Sequence, residues 1–231
     1  MSYPPLMLRA NEIGSICKAL NVDSHEVMKI FVEDTKLNIA PYYLRPGFAF
    51  GGSCLPKDLR AVNYVAKELD VQTPLLGSVL ASNDAHIQRV IDTVLERPRR
   101  TVALVGLSFK VGSDDLRESP FVRLAEGLIG KGVPLRIYDP DVAIGQVFGR
   151  NRAYIDEHLP HVAQLFGDSL SDVVQGADVV IVGKRVAGID TLYRGRRDTQ
   201  AVIDLVGIAE LGHVLRPWAS SGAANLAPWG G

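Results

Sequence analysis

The chain has 231 residues, of which 47% are hydrophobic and 22% charged, and its formal net charge is -1. These values are typical of one large or two small globular domains, and they do not favour nucleic acid or an anionic membrane as a partner. No apolar run reaches the roughly 18 residues of a bilayer span. The first residues, MSYPPLML, carry no secretory-signal pattern, so we expect a cytoplasmic protein. The two cysteines have neither disulfide-framework nor metal-ligand spacing, so we expect reduced thiols.

The first part of the chain has helical periodicity. An apolar stripe at spacings of three and four predicts a helix that begins at or before Arg9 and buries Cys17 as a small hydrophobic residue. Asp23 is a predicted N-cap for a second helix. Two further helices are predicted, over about residues 55–69 and from Pro74 to about residue 95.

The pattern changes after the RPRR segment at residues 97–100. Short β-branched runs bounded by glycine, proline or aspartate now predict strands, with a helix from Ser119 to about residue 129 between the first two. The predicted strands are TVALVG (101–106), PLRIYD (134–139), DVVIVG (178–183) and AVIDLVG (201–207). Alternating strands and helices predict parallel βαβ units, with ligands beyond the carboxyl ends of the strands.

These patterns define the expected organisation of the chain. We predict an α/β chain with a helical domain over residues 1–97 and a small Rossmann-like parallel sheet over residues 98–210. The last stretch, residues 211–231, is rich in Gly, Ala, Pro and Ser and shows no periodicity. We therefore expect it to be a loose tail.

The segment RPGFAFGGSCLPKD (residues 45–58) raises a chemical question, because packing alone seldom requires a cysteine in such a setting. The glycine pair leaves room for a substrate or for backbone, and Ser53 is a predicted cap for the helix that follows. Cys54 then lies at a helix N-terminus, which favours the thiolate, and Lys57 adds positive charge. This arrangement suits a nucleophile, although Cys54 filling the start of a helix is the alternative.

Two motifs carry a resemblance to a known family. FGGSCLPKD, preceded by YYLRPG, and GLSFKVGSDDLRESP at residues 106–120 closely resemble the nucleotide-sugar 6-dehydrogenases. The resemblance implies a central helical dimerisation domain and a C-terminal Rossmann-like domain that holds the nucleotide. It also implies oxidation of a sugar C6 alcohol to a carboxylate with two NAD and one water, with GDP-mannose as the expected substrate. A homodimer or higher oligomer is implied as well.

The resemblance also implies roles for individual residues. Cys54 matches the nucleophile that forms a thiohemiacetal and then a thioester, and Asp58 matches the aspartate that positions or deprotonates the hydrolytic water. Asp58 as a favourable charge at a helix N-terminus is the alternative. Lys57 and Arg117 match residues that contact NAD, although Arg117 also has carboxylates nearby for an ion pair. The positions that match nucleotide-sugar contacts are Asn11, Tyr42, Tyr43, Arg45, Phe48, Gly51 and Lys110.

The chain departs from the family at its front. No GxGxxG follows a predicted strand, so we expect the NAD-binding Rossmann domain to be absent and the chain alone not to reduce NAD. The paired prolines Pro4 and Pro5 are not expected to continue a helix. The alternatives are a nucleotide-sugar-binding and dimerisation module without turnover, a fragment of a UDP-sugar 6-dehydrogenase, and a thiol redox sensor. His158 and His161 flank Pro160 without a ligand pattern, so no metal is expected.

Overall fold

The computed structural model describes residues 3–35, 47–142, 157 and 160–207. The predicted tail and the predicted contacts Tyr42, Tyr43 and Arg45 lie outside the described residues. In chain order the elements are α1 (Tyr3–Ala19), α2 (Ser24–Glu33), α3 (Leu55–Glu68), α4 (Pro74–Leu95), β1 (Val102–Val105), α5 (Pro120–Gly130), β2 (Leu135–Tyr138), α6 (Pro160–Ala163), α7 (Leu170–Gln175), β3 (Val179–Val182), α8 (Ile189–Arg194) and β4 (Ala201–Asp204).

The chain divides into two compact units. The helical unit comprises residues 1–47 and 53–84, and the sheet unit comprises residues 48–52 and 85–231. The second half of α4 belongs to the sheet unit because Val90 and Val94, which are 1% and 0% exposed, pack in the core of that unit. The predicted domain limits stay predictions.

The helical unit begins with α1, which differs from the prediction in one respect. Pro4 and Pro5 lie inside its first turn, so the prediction that they do not continue a helix was wrong for this segment. The first turn tolerates proline because its amides have no carbonyl partner within the helix. The predicted cap of α2 is confirmed, since the His25 amide donates to Asp23 Oδ1 at 2.8 Å.

A small apolar core holds the helical unit together. Ile16, Ala66 and Leu76 are its buried members, and half-buried side chains of α1 and α3 pack against them. Cys17 is 7% exposed, which confirms the prediction that it is buried. Glu12 adds a polar link, because its carboxylate accepts the first free amides of α4, from Leu75 at 2.8 Å and Leu76 at 2.9 Å.

The sheet unit contains a four-stranded parallel sheet with the order β2-β1-β3-β4. All four strands lie within the predicted runs. The carboxyl ends of the three strands β2, β1 and β3 are level, because Val105 pairs with both Tyr138 and Val182. The chain leaves β1 towards β2 on one side and returns to β3 on the other. The crevice between β1 and β3 is therefore the switch point at which such sheets bind ligands.

Both faces of the sheet are covered. Alternate residues of a strand point to opposite faces, so Val102 and Leu104 join one buried cluster, with α5 and the end of α4, and Ala103 and Val105 join another, with α7. Continuous burial of β1 explains why its sequence is an unbroken apolar run. This double packing fixes the strand ends that carry the polar loops.

Candidate functional site

Cys54 lies at the N-terminus of α3 with its thiol exposed. Ser53 was predicted to cap this helix, and that prediction was wrong: Cys54 itself is the N-cap residue and makes no side-chain capping bond. The Ser53 Oγ instead lies 3.9 Å from the Cys54 Sγ. The helix starts at once after the cysteine because Pro56, in the first turn, needs no amide partner. The thiol is thus presented to solvent by the first turn of a helix.

Lys57 and Asp58 share this first turn with Cys54. Lys57 Nζ lies 3.2 Å from Asp58 Oδ1, and the two side chains are 65% and 67% exposed. The Asp58 amide donates to the Cys54 carbonyl at 2.9 Å. A thiol, an ammonium group and a carboxylate therefore stand on five consecutive residues of one rigid element, open to solvent.

The glycine pair before Cys54 belongs to the sheet unit. A β-carbon on Gly51 would lie 2.3 Å from the Glu118 carbonyl oxygen and 2.5 Å from Pro120 Cδ, and the Gly52 amide donates to that same carbonyl at 3.2 Å. Gly52 has φ +91°, and a β-carbon there would lie 2.8 Å from the ring of Phe109. Both glycines are therefore required for close approach to the chain that follows β1.

Phe48, a predicted nucleotide-sugar contact, starts the same short segment. Its ring stacks on that of Phe121, with centroids 5.2 Å apart and an interplanar angle of 27°. Phe48 is half-buried and packs against the core of the sheet unit. This contact anchors residues 48–52 on α5, while stacking of Phe48 on a ligand stays a prediction.

The loop after β1 carries Lys110 and Arg117. Lys110 is exposed beyond the carboxyl end of β1. Arg117 donates from Nε and Nη2 to the two carboxylate oxygens of Asp115 at 2.8 and 2.7 Å. This hydrogen-bonded pair holds the pKa of Asp115 below its ordinary value, against the opposing effect of burial. The predicted ion pair of Arg117 is thereby confirmed, and its contact with NAD stays a prediction.

Asn11 is exposed on α1 in the helical unit. It lies in an open groove with Lys18, Ser24 and His25, and its carbonyl accepts a hydrogen bond from the Ser15 hydroxyl at 3.0 Å. Val22 and Met28 also line the groove, so its walls are both polar and apolar. The predicted role of Asn11 stays a prediction.

A buried polar cluster at the sheet's carboxyl edge was missed by the sequence reasoning. Lys184, Asp139 and Ser108 are 3%, 4% and 1% exposed and form hydrogen bonds with one another. Asp139 follows β2 directly and Lys184 comes two residues after β3. Their positions just beyond predicted strands were the signal that the switch-point rule could have used.

Metal binding and membrane insertion can be assessed for the residues that the structure describes. Within them, no three His, Cys, Asp or Glu side chains are grouped as ligands for a metal ion. Over the same residues, no helix combines the length and the hydrophobicity that a bilayer span requires. The predicted histidine pair is only partly described, because His158 lies outside these residues.

Together, the parallel sheet with polar loops at its carboxyl edge and the helical unit with Cys54 at a helix N-terminus define a Rossmann-like α/β protein with an exposed cysteine. The family model for the central domain of the UDP-glucose/GDP-mannose dehydrogenase family matches residues 7–85. The model for the UDP binding domain of the same family matches residues 103–210. The chain belongs to the UDP-glucose/GDP-mannose dehydrogenase family.

Individual relatives refine this placement. A GDP-mannose 6-dehydrogenase of Pseudomonas savastanoi pv. phaseolicola is 50% identical over 198 residues, which are 86% of this chain and 45% of that protein. A UDP-glucose 6-dehydrogenase of Haloferax volcanii is 32% identical over 84% of this chain and 44% of that protein. The crystal structure of a ternary complex of GDP-mannose dehydrogenase from Pseudomonas aeruginosa superposes with a TM-score of 0.83 at 47% identity, over 91% of this chain and 48% of that one. The chain thus spans about half the length of these relatives.

Proposed function

We propose that the chain is the helical and nucleotide-binding part of an NAD-dependent GDP-mannose 6-dehydrogenase. The observation that carries the proposal is Cys54, an exposed thiol at the start of α3, in a chain 50% identical to GDP-mannose 6-dehydrogenases. An enzyme that stops at an aldehyde needs no such thiol. An enzyme that oxidises an alcohol to an acid can use it to hold the intermediate.

In the proposed reaction, NAD, when bound, accepts a hydride in each of two oxidations. Between them the Cys54 thiolate adds to the carbon of the C6 aldehyde and forms a thiohemiacetal. The second oxidation converts this adduct into a thioester on Cys54. Water then attacks the thioester carbonyl, the acid leaves and the Cys54 thiol is regenerated. The sum is one GDP-mannose, two NAD and one water converted into GDP-mannuronate, two NADH and three protons.

Asp58 and Lys57 support this chemistry from the same turn. Asp58 is proposed to orient or deprotonate the water, a role open to its solvent-exposed carboxylate. Lys57 and Arg117 are proposed to contact NAD. Both are cationic and at least 42% exposed, so they fit the negative charge of a dinucleotide.

Nucleotide-sugar recognition is assigned to the loops before Cys54 and after β1, with a contribution from Asn11. Lys110 is proposed to contact the nucleotide as a point charge, with Phe48 and Gly51 along the sugar nucleotide. Tyr42, Tyr43 and Arg45 belong to the same proposal. GDP-mannose is favoured over a UDP sugar because identity to the GDP-mannose relatives is 50% and to the UDP-glucose relative 32%.

Assembly and location complete the proposal. Ile30 and Val32 of α2 are each 71% exposed, and such apolar surface supports a homodimer or higher oligomer formed through the helical unit. A cytoplasmic location is proposed because Cys54 must stay reduced to act as a nucleophile. Because the chain matches 45% of the relative's length, the NAD-binding half is proposed to come from additional sequence or another chain.

The test is a chimaera. The part of the Pseudomonas savastanoi relative that precedes its matched segment is fused to this chain, and NADH and GDP-mannuronate are measured with GDP-mannose and NAD. We expect two NADH per GDP-mannose from the chimaera and none from the chain alone. In the chimaera, Cys54→Ala should abolish GDP-mannuronate, whereas Cys17→Ala, at a buried cysteine, should not. NADH from the chain alone, or acid from the Cys54→Ala chimaera, would contradict the proposal.

A further inference from the structure

Lys184 occupies the switch point of the sheet. Its amide donates to the Val105 carbonyl at 3.1 Å, so the backbone after β3 is joined to the end of β1. Gly106, with φ +97°, lies directly under it, because a β-carbon there would be 2.4 Å from Lys184 Cβ. Any other residue at position 106 would force the lysine away. The fold therefore makes room for a buried lysine.

The ammonium group of Lys184 is surrounded by oxygen acceptors. It donates to Asp139 Oδ1 at 2.8 Å, to Asp141 Oδ2 at 2.7 Å and to the hydroxyl of Ser108. The side chains of Lys184 and Asp139 are 3% and 0% exposed. Burying a charge pair of this kind costs desolvation free energy, so the pair contributes little to stability by itself. We therefore infer a structural role that an apolar pair could not fill.

The other hydrogen bonds of Asp139 and Asp141 indicate this role. Asp139 Oδ2 accepts the amides of Leu107 and Ser108 at 2.8 and 2.9 Å. Asp141 Oδ2 accepts the amide of Gly112 at 2.8 Å, and the pKa of Asp141 is lowered chiefly by its bond with Lys184. The loop is thus held on both sides of residue 110.

Ser108 connects the cluster to Lys110 itself. Its hydroxyl accepts from Lys184, and its single proton has two acceptors within reach, Asp139 Oδ2 at 3.1 Å and the Lys110 carbonyl at 3.3 Å. Lys110 is exposed, whereas Ser108, Asp139 and Lys184 are buried and Asp141 is half-buried. A rigid backbone under an exposed cation is the arrangement that presents a charge to a ligand at low entropic cost.

We propose that Lys184 is a positioning residue: it neutralises the two carboxylates that clamp the β1 loop and so holds Lys110 in place for the nucleotide sugar. Lys184 itself does not touch the ligand. This inference rests on the proposed function, since it assumes that Lys110 contacts the nucleotide. It adds a residue from the loop after β3 to the determinants of binding.

The test is a double-mutant cycle in the full chain, with GDP-mannose titrated by calorimetry. Lys184→Met and Lys110→Met should each raise the dissociation constant by about tenfold or more. The dissociation constant of the double variant should exceed that of either single variant by no more than about twofold, because both changes disable the same contact. Lys131→Met, at an exposed lysine of the sheet unit, should bind as the unaltered chain does. Amide exchange at Leu107 should become faster in Lys184→Met than in Lys131→Met.

Several outcomes would overturn the inference. Unchanged GDP-mannose binding in Lys184→Met is enough to refute the inference. It is also refuted if the rise in the dissociation constant of the double variant equals the product of the two single rises. If Lys184→Met does not fold, Asp141→Ala decides, since it releases Gly112 and leaves the pair of Lys184 with Asp139; normal binding in Asp141→Ala then refutes the clamp. If the unaltered chain binds no nucleotide sugar, the proposed function is refuted. In that case amide exchange in the ligand-free chain still tests whether Lys184 holds the loop after β1.

Discussion

Replacing Gly51 by alanine places a methyl group where the chain after β1 leaves no room. The new β-carbon would lie 2.3 Å from the Glu118 carbonyl oxygen and 2.5 Å from Pro120 Cδ, and real β-carbons essentially never approach closer than 3.0 Å. Both neighbours are backbone or ring atoms, so relief requires a backbone shift. That shift would stretch the 3.2 Å bond from the Gly52 amide to Glu118.

The cost can be estimated from these contacts. Overpacking of a tight site costs about 1–3 kcal/mol, and a lost backbone hydrogen bond adds about 1 kcal/mol. We therefore expect Gly51→Ala to lower the unfolding free energy of the sheet unit by about 2–4 kcal/mol. Urea denaturation followed by circular dichroism measures the loss. Faster amide exchange in β1 and β3 would assign it to the sheet unit.

Gly47 provides the matched control for this prediction. A β-carbon on Gly47 meets no atom within 4 Å, so Gly47→Ala should change the unfolding free energy by no more than about 0.5 kcal/mol. Equal stability of Gly51→Ala and Gly47→Ala would refute the close approach of residues 51 and 52 to residues 118–120.

Three further changes test the remaining structure. Glu12→Ala removes the carboxylate that accepts the first amides of α4 and should destabilise the helical unit by about 1–2 kcal/mol in urea denaturation. Ser119→Ala removes the cap of α5 and the 2.6 Å bond to the Leu107 carbonyl, so it should destabilise the sheet unit by about 1–3 kcal/mol. Asp141→Asn should lower stability most above about pH 5 and progressively less on acidification, measured by denaturation at a series of pH values.

The sign of the pH effect follows from the bond with Lys184. The pKa of Asp141 is depressed below its ordinary value of 3.8 in the folded chain, so the unfolded chain binds the proton more readily. The stabilisation is fully present above about pH 5, where the carboxyl is ionised in both states, and it is lost as the pH falls through 3.8 and then through the lower folded-state pKa. A difference between the unaltered chain and Asp141→Asn that does not vary with pH would contradict this origin.

Exposed residues of the same type serve as controls for the other two changes. Glu68→Ala and Ser171→Ala each alter an exposed side chain on a helix and should change the unfolding free energy by no more than about 0.5 kcal/mol. If Glu12→Ala or Ser119→Ala behaves like its control, the corresponding capping interaction contributes no stability.

Local patterns were enough to predict most of the fold. The four strands are short β-branched runs. The helices α2, α3 and α4 begin at or within one residue of the predicted positions, because the capping residues and prolines that start a helix are its neighbours in sequence. The prediction failed at Ser53, where the helix starts one residue later than a serine cap would require. Pro4 and Pro5 were also misjudged, because the first turn of a helix imposes no donor requirement on them.

The parts that could not be predicted depend on contacts between distant residues. Glu12 caps a helix that begins 62 residues later in the chain, at Pro74, and no local pattern signals such a bond. Lys184, Asp139 and Ser108 meet only because strand register places three loops at one edge. For Cys54, the sequence indicated its helix N-terminus, and the structure adds its exposure.

We propose above that the chain holds a GDP sugar for oxidation at Cys54. The most direct measurement is calorimetric titration of the full chain with GDP-mannose, UDP-glucose and UDP-glucuronate in parallel. We expect saturable binding of GDP-mannose at least about tenfold tighter than that of either uridine nucleotide, and about tenfold weaker binding after Lys110→Met. Preference for a uridine nucleotide, or binding unaffected by Lys110→Met, would contradict it.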